Sequence, residues 1–79
     1  MLQKFKVGQL VTLIDGFPFE NKVFKIVADR ETAWKKASPF TFDTVTVDEG
    51  KDYIILMQQD NDEFSNERHV NESEIQAFV

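Results

Sequence analysis

Tyr53-Ile54-Ile55-Leu56-Met57-Gln58 is the stretch on which the fold turns. Its near-continuous apolar run, partly aromatic and β-branched, suits a strand buried on both faces and therefore central in its sheet. Asp48-Glu49-Gly50-Lys51 precedes it with a glycine for a tight turn, and Gln59-Asp60-Asn61-Asp62-Glu63 follows as a polar turn. The run is also the longest apolar one in the chain, far below the ~20 residues that cross a bilayer as a helix.

Outward from it the period is two rather than 3.6. Leu10-Val11-Thr12-Leu13-Ile14 has strand composition and ends at the turn signal Asp15-Gly16, after which Pro18 keeps Phe17-Pro18-Phe19 extended. Lys22-Val23-Phe24-Lys25-Ile26-Val27 reads as a second strand. Phe40, Phe42, Val45 and Val47 alternate with polar residues, and a bulge at Asp43-Thr44 would place them in one strand. Phe64-Ser65 and Arg68-His69-Val70 form a return strand. A short helical turn is expected near 71–75, and residues 76–79 close the chain as a strand. The one other helix candidate is residues 30–37, eight residues with good helix formers, stopped by Ser38-Pro39. Short strands divided by turn signals give an all-β fold, a small barrel or sandwich in one domain over residues 1–79.

Seventy-nine residues bury only roughly 60% of the surface the unfolded chain exposes, so the eight Phe, with Tyr53 and Trp34, carry much of the core. There is no Cys, which excludes disulfides and Cys-ligated zinc and favours a reducing compartment. The N-terminal stretch lacks the apolar segment of a signal peptide. A soluble, cytoplasmic, acidic protein is expected, with no membrane partner. Net charge is −5, spread unevenly: +3 over residues 1–40 and −8 over residues 41–79.

Val7-Gly8-Gln9-Leu10-Val11-Thr12-Leu13, Val23-Phe24-Lys25-Ile26, Tyr53-Ile54-Ile55-Leu56 and Val70-Asn71-Glu72-Ser73-Glu74-Ile75 together resemble small bacterial and phage SH3-like barrels. In that group a Gly precedes the first strand, and a Val-x-Glu-x-Glu-Leu/Ile segment makes the turn before the last. The resemblance implies a small SH3-like barrel with an enlarged loop or hairpin at about 30–47. A narrower likeness, around Gly8, Val11, Gly16 and Val23, is to the KOW segment of ribosomal and transcription-elongation proteins. Glu20-Asn21-Lys22 stands where that segment has a further Gly.

Chemistry-bearing constellations are sparse. His69 is the only imidazole and no nucleophile motif accompanies it, so it reads as a structural strand or surface residue. Asp60, Asp62 and Glu63 begin like a calcium loop, but Phe64 and Ser65 occupy the places of its next acid and its glycine. No phosphate-cradling glycine loop is present. No catalytic residue, metal or cofactor is expected.

The remaining reading is a non-enzymatic protein-interaction module, a bacterial or phage accessory protein whose partner is another protein. Its candidate binding residues are Trp34, Lys35, Lys36 and Phe40, because the long insertion gathers the only Trp, paired lysines and aromatics on one scaffolded segment. Trp34 fits either an exposed anchor or a cap on the barrel end. Two alternatives stay open. One is a KOW-like nucleic-acid-associated module using Lys22, Lys25, Arg30, Lys35 and Lys36. The other is an acidic inhibitor of a nucleic-acid enzyme, presenting Asp60, Asp62, Glu63, Glu67, Glu72 and Glu74 in place of phosphates. The net negative charge disfavours nucleic acid as the main partner.

Overall fold

The computed structural model describes residues 4–15, 22–37 and 39–78. The turn expected at Asp15-Gly16 and the Phe17–Phe19 stretch fall largely outside them. Among these residues seven strands follow in order: β1 Leu10–Leu13, β2 Phe24–Asp29, β3 Trp34–Ala37, β4 Phe42–Val45, β5 Tyr53–Gln58, β6 Phe64–Val70 and β7 Ile75–Ala77. A 3₁₀ turn at Glu72–Glu74 separates the last two. Five strands form one sheet in the order β6-β5-β2-β1-β7, and β3 pairs with β4 as a separate hairpin. All pairings are antiparallel. The expected all-β domain is what the chain forms, and the insertion at 30–47 is a hairpin.

β5 lies between β2 and β6, and Tyr53, Ile54, Ile55 and Leu56 are all buried. Alternation divides them between two faces. Tyr53 and Ile55 join Val11, Phe24, Ile26, Val70, Ile75 and Phe5 in the main core. Ile54 and Leu56 point the other way. A bulge in β2 explains how that second face is supplied. Ile26 pairs with Ile55, while Ala28 pairs with Ile54, so one extra β2 residue sits between the pairs. The extra residue flips Ala28 to the face opposite Ile26.

Tyr53 also ties the chain ends together. Its hydroxyl accepts from the Phe5 N–H at 3.1 Å and donates to Glu72 Oε1 at 3.4 Å, the same oxygen that accepts from the Lys4 N–H at 2.8 Å. Burial, together with the carboxylate of Glu72, raises the Tyr53 pKa above its ordinary value. Glu74 secures the 3₁₀ turn by accepting from the Asn71 N–H at 2.6 Å.

Three expectations need correction. Residues 30–37 form no helix. Asp29 Oδ1 accepts from the Glu31 and Thr32 N–H groups at 2.9 and 2.7 Å, turning the chain back at once. An eight-residue helix with only Ala33, Trp34 and Ala37 apolar lacks both the length and the buried stripe to compete. Next, the strand expected from Phe40 to Val47 is only Phe42–Val45, and its register with β3 is unbroken, so no bulge occurs at Asp43-Thr44. β3 is four residues long, and β4 ends where its partner does. Finally, the second strand starts at Phe24 rather than Lys22 and runs on to Asp29, because its pairing with β5 continues to Tyr53.

Candidate interaction site

Hairpin pairing sorts the four candidate residues onto different surfaces. Trp34 pairs with Val45, Lys35 with Thr44, Lys36 with Asp43 and Ala37 with Phe42. Directly opposed residues share a face, and neighbours along a strand do not. Trp34 and Lys36 therefore lie on one face with Val45, both Trp34 and Val45 being half-buried. Lys35 lies on the other face with Ala37 and Phe42. Phe40 sits between the strands, 99% exposed, and Phe42 is 69% exposed. Two phenyl rings in water on so small a domain are a cost that folding does not explain.

The inward face meets the sheet. Lys36 Nζ donates to Glu67 Oε1 on β6 at 3.0 Å and stands 5.7 Å from the centre of the Trp34 ring. This hydrogen bond is the chief reason the Glu67 carboxyl lies below its ordinary pKa. The other Glu67 oxygen is 3.5 Å from His69 Nε2, while His69 Nδ1 accepts from the Asp48 N–H at 3.0 Å. The ring is thereby oriented with Nδ1 toward Asp48 and Nε2 toward Glu67. His69 joins β6 to the segment after β4, as a structural residue does. Lys25 of β2 reaches over the Phe64 ring, 5.6 Å from its centre. A cleft of about 510 Å³ runs between the hairpin and β6, bordered by Trp34, Lys36, Leu56, Phe64 and Glu67 among others.

Four members of the acidic series are engaged within the chain. Glu67 serves Lys36, Glu72 serves Lys4 and Tyr53, Glu74 caps the 3₁₀ turn, and Asp62 accepts from Gln58 Nε2 at 3.3 Å. Among the described residues no group of three or more His, Asp or Glu side chains is placed to hold a metal ion. No helix among them is long and apolar enough to cross a membrane.

Leu56, Phe64 and Glu67 were not singled out by sequence reasoning as cleft residues. Only the packing of the hairpin against β6 brings them to the cleft, and residue type alone carries no such signal. Phe42, by contrast, was visible as half of an aromatic pair. No protein-family model, curated protein or solved structure matches the chain.

Proposed function

We propose that the protein is a non-enzymatic protein-interaction module, an SH3-like barrel that presents its inserted hairpin to a partner protein inside the cell, in the manner of a bacterial or phage accessory protein. The observation that carries this reading is the exposure of Phe40 and Phe42 on a hairpin outside the main sheet. Aromatic side chains on a hairpin are efficient anchors, since they bring large apolar area with few rotamers to freeze. Lys35, on the Phe42 face, adds a charge that orients the contact. Support for the SH3-like frame comes from Gly8, with φ of 95° just before β1, and from the Glu72–Glu74 turn just before β7.

Nucleic acid ranks second as a partner. Lys36 is engaged by Glu67, Lys25 leans on Phe64 and Lys35 projects from the opposite hairpin face, an arrangement unlike a continuous basic track. The test is capture from native cell extract, with and without nuclease, comparing the wild-type chain with the Phe40→Ser/Phe42→Ser variant. The expected result is a discrete protein captured by wild type in both conditions and lost with the variant. Capture abolished by nuclease, or unaffected by the double substitution, would overturn the proposal.

A further inference from the structure

The cleft beneath the hairpin has a geometry that a simple packing defect would lack. Four consecutive residues of β3, Trp34–Ala37, and four of β6, residues 64–67, border it. β3 is unbroken over these residues and its consecutive side chains point to opposite faces, so a cleft touched by all four follows its edge, and on β6 it follows the bulged stretch. Both edges lack a ladder partner on that side: β3 pairs only with β4 and β6 only with β5 among the described strands. Leu56 and Phe64 supply apolar surface, and the long side chains of Lys36 and Glu67 bridge the gap.

We propose that this cleft is a second binding site, distinct from the outward hairpin face, and that it takes an extended acidic segment of another protein as an added strand. Main-chain groups of the segment would pair with the free edges, and an alternate apolar side chain would rest on Leu56 and Phe64. Charge complementarity fixes the chemistry of the occupant. Lys36 borders the cleft from the inward hairpin face and Lys25 lies beside Phe64, whereas among the described residues Glu67 is the one acidic residue on its border. Glu67 holds the place of the ligand carboxylate when the cleft is empty, acting as a latch on Lys36.

The edge is also guarded. Ile55 pairs with Arg68 and Met57 with Ser65, so β6 advances three residues while β5 advances two, and Asn66 takes a φ of 65° there. Such a bulge breaks up an edge against indiscriminate pairing, as does the Glu67 latch. Only a segment that brings its own carboxylate offsets the loss of the Lys36–Glu67 pair.

The probe is a blocked heptapeptide alternating acidic residues with Val and Phe, compared with a twin in which each carboxylate is an amide. Trp34, the only tryptophan and on the cleft border, reports binding to the full chain by fluorescence, and hydrogen exchange locates it. The acidic peptide should shift the Trp34 emission saturably and protect amides of residues 34–37 and 64–67. Its affinity should fall as salt is raised. Lys36→Met should weaken it roughly tenfold, about one charge-assisted contact, and Glu67→Gln should strengthen it several-fold. Phe40→Ser should leave it unchanged, which keeps this outcome separate from that of the hairpin-tip proposal. Equal binding of the amide twin, no gain with Glu67→Gln, or no saturable response to the acidic peptide would each overturn the inference.

Discussion

Replacing Ile55 with Ala tests the architecture where it is most exposed to error. Ile55 is fully buried, pairs with Ile26 on one side and Arg68 on the other, and belongs to the main core. Truncation of such a residue costs about 2–5 kcal/mol. In a domain of this size each kcal/mol lowers the Tm by roughly 4–8 °C, so a fall of at least about 8 °C follows. Leu56→Ala is the internal comparison. Leu56 is 8% exposed and lies on the opposite face, beside the hairpin. It should cost less, near the lower end of the same range, because the cleft leaves part of its surroundings open. Thermal unfolding followed by circular dichroism measures the global loss, and Trp34 fluorescence measures the state of the hairpin. An Ile55→Ala protein melting within about 2 °C of wild type would mean that β5 is peripheral. A larger loss from Leu56→Ala than from Ile55→Ala would mean that the two faces are assigned the wrong way round.

Three further outcomes follow from local geometry. Gly50 has a φ of 84°, and a Cβ there meets nothing within 4 Å, so Gly50→Ala should cost about 1–2 kcal/mol through backbone conformation alone, measured by urea unfolding. The raised Tyr53 pKa means that its contribution to stability is intact below the ordinary value of 10.0 and is lost as pH rises through the folded-state value. Tyr53→Phe should flatten the fall in Tm between neutral and strongly alkaline pH relative to wild type, and an equally steep fall would refute the assignment. Glu67 runs oppositely: its lowered pKa makes its contribution present above 4.5 and lost as pH falls through the folded-state value, so Glu67→Gln should reduce the acid sensitivity of the Tm.

The strands that carry the core were legible because burial imposes a periodicity on them. Tyr53–Gln58 showed its two-sided burial as an unbroken apolar run, and the turns around Gly50 and Asp62 showed in composition. The positive φ angles of these two residues agree with that reading. The hairpin was less legible. Residues 34–37 are helix formers by type, and their strand state depends on the Asp29 turn and on pairing with Phe42–Val45, which are tertiary facts. The candidate site was legible as a segment but not as a surface. Trp34, Lys35, Lys36 and Phe40 are close in sequence, yet strand alternation sends Trp34 and Lys36 inward and Lys35 outward. Trp34, half-buried beside Lys36, is a border of the cleft more than a free anchor, which leaves Phe40 and Phe42 as the exposed aromatics of the hairpin.

Photo-crosslinking from position 40 is the most direct test of whether the outward face of the hairpin meets a partner protein. A photoreactive phenylalanine analogue replaces Phe40 in one version of the chain and Gln76 on β7 in another, each irradiated in the native cell. One discrete protein adduct is expected from position 40, resistant to nuclease, and none of that species from position 76. An adduct formed equally from position 76, or one from position 40 that nuclease removes, would contradict it.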